Sequence, residues 1–213
     1  MKTTFTVLVF IIVSHTISAQ TANYWVKKSD FGSDTIGNGL KRERAVAFTI
    51  DDVAYVGTGV DTAEQTLKDF WKYDAALDSW SQVADLPASQ RRNAIAFSIN
   101  GYGYVGTGMD STNASAPMAN TLNDFWQYNP GTNTWLQKAN YPGGLGNGIY
   151  FATGFAIDSR GYVCCGKRGP NQYSSEMWEY KPTLDQWNQL ANFPGGVRYQ
   201  LSSFVIGFKA YVG

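Results

Sequence analysis

Apolar and aromatic residues recur in phase along the chain, in short runs that are separated by turn residues. The segment YVGTG stands at 55–59 and again at 104–108. Four tryptophans mark the phase at spacings of 55, 55 and 52 positions: Trp25, Trp80, Trp135 and Trp187. Self-similarity of this kind predicts a structural unit of about 50 residues that the chain uses several times.

Each unit predicts four short antiparallel strands, which we label a to d. Strand a is an apolar run, strand b the Tyr-Val-Gly run, and strand c the run Asp-Phe-Trp-x-Tyr or Glu-Met-Trp-x-Tyr. Strand d carries the phase-marking tryptophan and ends near a proline. Asn100-Gly101, between strands a and b of the second unit, favours a two-residue hairpin turn. The predicted units are 43–87, 92–142 and 150–194, followed by a partial unit at 198–213.

Four antiparallel strands repeated about every 50 residues are typical of the blade of a β-propeller. A Tyr-rich strand b that ends in a glycine pair, followed by a Tyr and a Trp seven residues apart, resembles the Kelch-repeat family. These pairs are Tyr73 and Trp80, Tyr128 and Trp135, and Tyr180 and Trp187. The resemblance covers residues 23–213. It implies an all-β fold, a Kelch-type β-propeller with three complete four-stranded blades and partial blades at both ends.

Neither end of the repeat matches a closed disc. Residues 23–31 align with strand d alone, and residues 198–213 align with strands a and b alone. Propellers close with roughly four to eight blades, and the N-terminal strand at 23–31 is predicted to close the last blade. We therefore expect the sequence to be a fragment. The alternative is a short natural chain that completes its disc by self-association.

The first twenty residues, MKTTFTVLVFIIVSHTISAQ, predict a secretory signal peptide. Lys2 supplies the positive end, residues 5–13 form an apolar run, and Ser18-Ala19 are small residues before the predicted cleavage site. The apolar run is shorter than the ~18 residues that a membrane span requires. We therefore expect a signal peptide at 1–19 and a secreted, extracellular or periplasmic protein with no transmembrane segment after signal removal.

Charge, histidine and cysteine content narrow the classes of function. Lys and Arg number 17, as do Asp and Glu, and no basic run is present, so no nucleic-acid partner is expected. The only histidine, His15, lies in the predicted signal peptide, which removes the usual general base and metal ligand. No acidic spacing resembles a calcium loop, so neither a metal nor another cofactor is predicted. Cys164 and Cys165 are adjacent, and a bridge between them would strain the peptide, so no disulfide framework is expected.

Strand direction places the b–c and d–a loops on one face, which we call the loop face. The b–c loops differ between units and are predicted at 60–68, 109–123 and 167–176, so this face is the expected binding face. Arg44, Arg92 and Arg198 are predicted to begin strand a at the mouth of the channel. There they could hold a carboxylate or a sulfated sugar. Tyr150 takes this place in the third unit and could offer a stacking surface.

Other interpretations of these residues and of the function stay open at this point. The arginines could belong to the repeat's own pattern and pair with a backbone carbonyl or with an acid of a neighbouring blade. The sequence favours a secreted binding module for a protein or glycan. The family resemblance also implies two enzyme classes, copper radical oxidases and sialic-acid mutarotases. The oxidases need histidine ligands, which disfavours them, and no catalytic residue is assigned. A structural cell-surface protein is a third possibility.

Overall fold

The computed structural model describes residues 25–32, 40–110, 121–144 and 148–213. The predicted signal peptide lies outside these ranges. The strands of the described chain form three four-stranded sheets and one two-stranded sheet, all antiparallel. No helix in these ranges is long and apolar enough to cross a membrane.

The strands follow one another across each sheet in chain order, so that each sheet is one blade. Blade 1 consists of β1 (Val46–Ile50), β2 (Val53–Gly57), β3 (Phe70–Asp74) and β4 (Ser79–Val83). Blade 2 consists of β5 (Ile95–Ile99), β6 (Tyr102–Gly106), β7 (Phe125–Asn129) and β8 (Thr134–Lys138). Blade 3 consists of β9 (Thr153–Ile157), β10 (Arg160–Gly169), β11 (Gln172–Lys181) and β12 (Gln186–Gln189). The fourth unit is the hairpin of β13 (Ser203–Ile206) and β14 (Lys209–Val212).

The first strands of successive units lie side by side, β1 beside β5, β5 beside β9, and β9 beside β13. Strand a is therefore the inner strand of every unit. In β1 and β5 buried residues alternate with more exposed ones, as expected for a strand whose faces meet different surroundings. The architecture predicted from the repeat is confirmed for the three complete four-stranded blades and for the partial unit that follows them.

The apolar core lies between the blades. One cluster joins Phe48 and Phe70 of blade 1 to Val105 and Tyr128 of blade 2. A second cluster joins blade 2 to blade 3 in the same way. Each blade thus covers the apolar face of its neighbour, and this removal of apolar surface from water stabilises the stack at about 25 cal/mol per Å².

Of the repeated glycines, the first ends strand b and the second lies two residues later, and the two are required for different reasons. A Cβ atom on Gly106 would lie 2.6 Å from the Phe125 ring and 2.7 Å from the backbone oxygen of Asp124, so the first glycine makes room for the ring and for the neighbouring backbone. In blade 3 the corresponding pair is Cys164 and Met177, and the slimmer methionine leaves room for a side chain. The second glycine has a positive φ in every blade, and a Cβ on Gly108 would also lie 2.7 Å from a backbone oxygen.

The segment predicted as an N-terminal strand is described from residue 25 onward. Residues 25–30 form no strand, and the side chain of Trp25 is fully exposed. In the ranges that the structure describes, no strand pairs with this segment, so its role in closing the last blade stays a prediction. The segment nevertheless packs on blade 1, where the ring of Phe31 lies 4.8 Å from that of Trp80.

Candidate functional site

A segment of three residues shortly before each strand a recurs on the loop face, and we call this segment the entrance of its unit. The third residue of each entrance has a positive φ, and backbone hydrogen bonds link these residues from unit to unit. Asn93 N donates to Arg44 O, Phe151 N to Asn93 O, and Gln200 N to Phe151 O, at 2.9–3.1 Å. This ladder aligns four entrances: residues 42–44, 91–93, 149–151 and 198–200.

The predicted arginines occupy three different positions in this alignment. Arg198 is the first residue of its entrance, Arg92 the second and Arg44 the third. Tyr150 is a second residue, equivalent to Arg92, and both form the same antiparallel bridge to the segment that follows strand b. Arg92 and Tyr150 therefore occupy equivalent positions, the second of the entrance, whereas Arg44 occupies the third position and Arg198 the first.

The surroundings of the three arginines also differ. Arg44 lies 2.9 Å from the carboxylate of Glu43, and Arg92 lies 3.9 Å from that of Glu64. Both glutamates are largely exposed, so these ion pairs contribute little to stability; the side chain of Arg44 is 40% exposed and that of Arg92 only 19%. The Nε of Arg198 donates to Gly195 O at 3.3 Å, and its guanidinium lies 5.9 Å from the ring of Phe193.

Two other arginines follow the repeat's own pattern, and they went unrecognised in the sequence. Arg91 is completely buried and donates two hydrogen bonds of 2.7 Å to the carboxylate of Asp124. Trp126 Nε1 donates to the same carboxylate at 2.7 Å. Arg42 makes the corresponding bonds to Asp69. Arg42 and Arg91 therefore hold the structure together rather than facing a ligand.

These contacts determine the charge state of the two carboxylates. Burial acts to raise the pKa of Asp124, but the hydrogen bonds from Arg91 and Trp126 and the charge of Arg91 outweigh it. The net effect holds the pKa of Asp124 below its usual range, and Asp69 is affected in the same direction by Arg42 and Trp71. In blade 3, Arg168 and Trp178 bond Glu176. Each of these three acids is thus hydrogen-bonded to an arginine and to a tryptophan of the repeat.

Blade 3 departs from the others by extending its central strands toward the loop face. β10 and β11 have 10 residues each, whereas their counterparts in blades 1 and 2 have 5. The segment 167–176, predicted as a b–c loop, mostly continues these strands around a turn. Lys167 pairs with Tyr173 across this extension. The extension thus carries a cation and an aromatic ring out to the entrance.

Lys167 lies among three tyrosines, and we call these four residues the tyrosine–lysine cluster. The ammonium nitrogen of Lys167 is 5.0 Å from the ring centroid of Tyr199, 5.4 Å from Tyr173 and 5.8 Å from Tyr150. Tyr173 and Tyr199 stack with centroids 5.2 Å apart. Attraction between a cation and the faces of aromatic rings holds this arrangement. Tyr173 and Tyr199 come from different units, so the repeat pattern in the sequence did not indicate this cluster.

An open depression of about 420 Å³ adjoins the cluster. Its lining includes Tyr173, Tyr199, Arg198 and Gln200. Tyr173 and Tyr199 are 38% and 43% exposed, whereas Tyr150 is 5% exposed and packs against Phe151. The accessible aromatic faces therefore belong to Tyr173 and Tyr199. Together with the positive charges of Lys167 and Arg198, they can stack a flat apolar group and bind a nearby anionic or hydroxyl group.

No protein-family model matches the chain, and neither does any curated protein. Among solved structures, the chain is similar to one titled "Structure of YjhT", with a TM-score of 0.63 and 18% sequence identity. The alignment covers 78% of this chain and 58% of that chain, so this chain spans less than two thirds of that protein's length. At this identity the similarity shows the fold alone, and that fold is a β-propeller.

Proposed function

We propose that this chain is part of a secreted Kelch-repeat propeller that binds a protein or carbohydrate ligand on its loop face. The observation that carries the proposal is the tyrosine–lysine cluster, with Tyr173 and Tyr199 exposed beside the open depression. Assignment to the Kelch family is supported by the recurring Tyr, Trp and glycine positions and by the four-stranded blades.

The chemistry of the cluster favours a ligand with both a flat apolar face and polar groups. Aromatic side chains with few rotatable bonds supply contact area at a low entropic cost. Among the ion pairs of the described chain, none joins a carboxylate to Lys167. The positive charges of Lys167 and Arg198 are therefore available to the oxygen atoms of a sugar or of an acidic side chain.

A sugar-active enzyme of the sialic-acid mutarotase type is the alternative. Such an enzyme needs an acid and a base whose pKa values lie near the working pH. Asp69 and Asp124 instead have pKa values held below the usual range by arginine and tryptophan partners. This arrangement supports binding over catalysis. NMR measurement of anomer exchange in free sugars separates the two functions, because a binding module leaves the exchange rate unchanged.

The test is a screen of the full chain against a glycan array and a panel of surface proteins, followed by titration calorimetry on the best ligand. Tyr199→Ala should raise the Kd at least about tenfold, equivalent to about 1.4 kcal/mol. Tyr102→Ala is the matched control, because Tyr102 is 37% exposed and follows the a–b turn on the opposite face. Binding of no glycan or protein, or equal loss in both variants, would contradict the proposal.

A further inference from the structure

The two cysteines of the chain lie side by side in the core next to the fourth unit. Cys164 and Cys165 are 1% and 0% exposed, and their sulfur atoms are 3.3 Å apart. Residues packed around them include Phe193, Leu201 and Val205. Two thiols at this distance are close enough to share a hydrogen bond and to approach a covalent bond with a small movement.

The backbone of the repeat brings these side chains together. Adjacent residues of a regular strand point to opposite faces. Cys165, however, has a φ of 64°, and the pairing of β10 shifts register between Cys164 and Gly166. Thr58 and Thr107 have nearly the same φ, 59° and 60°, so the conformation belongs to every blade. Blade 3 alone among the three complete blades combines this conformation with two thiols.

The two sulfur atoms are not equivalent. The hydrogen bond between the two sulfur atoms lowers the pKa of Cys165 and raises that of Cys164. Burial opposes the shift at Cys165, and the positive charge of Arg198 supports it. The Arg198 oxygen also accepts a hydrogen bond of 2.7 Å from Gly166 N, directly after the pair. Cys165 therefore has the greater thiolate character and is the better nucleophile.

We propose that Cys164 and Cys165 are a redox-active pair that closes to a vicinal disulfide by exchange with a low-molecular-weight disulfide such as oxidised glutathione. The Cys165 thiolate attacks one sulfur of the oxidant, forms a mixed disulfide and releases one thiol. The Cys164 sulfur, after losing its proton, then attacks the Cys165 sulfur and releases the second thiol. The protein loses two protons and two electrons, which together make two hydrogen atoms, and the oxidant gains them to become two thiols.

Strain makes such a bridge labile. A disulfide between adjacent residues departs from relaxed geometry, and strained bridges are more easily reduced. The pair is therefore suited to reversible oxidation rather than to permanent cross-linking. Because both sulfur atoms are buried, exchange requires local opening of the structure, and equilibrium with the glutathione couple is approached slowly.

The test uses the full chain, equilibrated in buffers with different ratios of oxidised to reduced glutathione, then quenched, alkylated under denaturing conditions and weighed intact. The expected product is a monomer that is lighter by two hydrogen atoms and carries no alkyl group. With two cysteines in the chain, an intramolecular bridge can only join Cys164 to Cys165. The folded chain should reach half oxidation at an oxidant ratio at least about tenfold lower than the same chain in guanidinium, because the fold holds the sulfurs together.

Cys165→Thr is the matched variant, because threonine occupies the equivalent place in blades 1 and 2. It should never give the product that is lighter by two hydrogen atoms, because its single thiol can only be alkylated or carry one glutathione, and Cys165→Ser provides a second variant should the first fold poorly. The proposal is overturned if the folded protein keeps two alkylatable thiols at every ratio. It is equally overturned if only mixed disulfides or cross-linked dimers form, or if folding does not shift the midpoint.

Discussion

The indole nitrogen of Trp135 in blade 2 donates a hydrogen bond of 2.9 Å to the backbone oxygen of Ala84, just after the outer strand of blade 1. Asn133 Oδ1 completes the contact by accepting from Ala84 N and from the Tyr128 hydroxyl, both at 2.9 Å. We call this set the blade clasp. The same contacts recur at Ser29 with Tyr73, Asp78 and Trp80, and at Ala139 with Tyr180, Asp185 and Trp187.

We expect the blade clasp to require a side-chain oxygen acceptor at position 133, whether that side chain is neutral or charged. Asn133→Ala removes the partner of Ala84 N and of the Tyr128 hydroxyl, and should lower the free energy of unfolding by about 1–3 kcal/mol. Asn133→Asp should change it by less than about 0.5 kcal/mol, since Asp occupies this place at positions 78 and 185. Urea denaturation followed by tryptophan fluorescence measures both variants. Equal losses would show that the side-chain acceptor does not stabilise the contact.

Neighbouring arginines are predicted to contribute very differently to stability. Arg91→Ala leaves the partly buried carboxylate of Asp124 without its partner, and should lower the free energy of unfolding by about 3–5 kcal/mol. Arg92→Ala removes a long ion pair, 3.9 Å, to the largely exposed Glu64 and should cost less than about 1 kcal/mol. Denaturant midpoints and slopes of both variants provide the measurement. A similar loss in the two would contradict the structural role of Arg91.

Acid should destabilise the fold through Asp124. Its pKa is lowered in the folded state, so the unfolded chain binds the proton more readily as the pH falls. The stabilisation is present above the unfolded value of about 3.9 and is lost as the pH falls through the folded pKa. Asp124→Asn should therefore show a shallower loss of stability below about pH 4 than the unchanged protein. Parallel curves from denaturation at several pH values would refute this prediction.

The cost of replacing the first repeated glycine is predicted to depend on the residue that faces it on strand c. Gly106→Ala would place a methyl group 2.6 Å from the buried Phe125 ring and 2.7 Å from the Asp124 backbone oxygen, and should cost about 1–3 kcal/mol, of which Phe125→Met can relieve only the part due to the ring. Adding Phe125→Met reproduces the pairing of blade 3, where Cys164 faces Met177. The double variant should be more stable than the sum of the two single changes by at least about 0.5 kcal/mol. Thermal and urea denaturation of the four proteins test this coupling, and strict additivity would exclude it.

The sequence by itself determined the blades, because the signals for strands and turns are local. Alternating apolar positions and Asn100-Gly101 depend on neighbours close in the chain, and together with the period marked by the tryptophans they placed all three complete sheets. The Tyr–Trp spacing was recognised as a repeat, although its cause, the blade clasp, joins residues 51 positions apart.

Only the tertiary structure decided which side chains are buried in structural pairs and which lie at the loop face. Arg91 and Arg92 are adjacent and chemically identical, yet one is buried against Asp124 and the other lies near the surface. Arg91 forms a backbone bridge with Leu67 and Arg92 forms one with Met109, and residue type encodes neither bridge. Tyr173 and Tyr199 meet around Lys167 because the extended β11 and the fourth unit converge there. Such contacts depend on the packing of successive units, which no local pattern specifies.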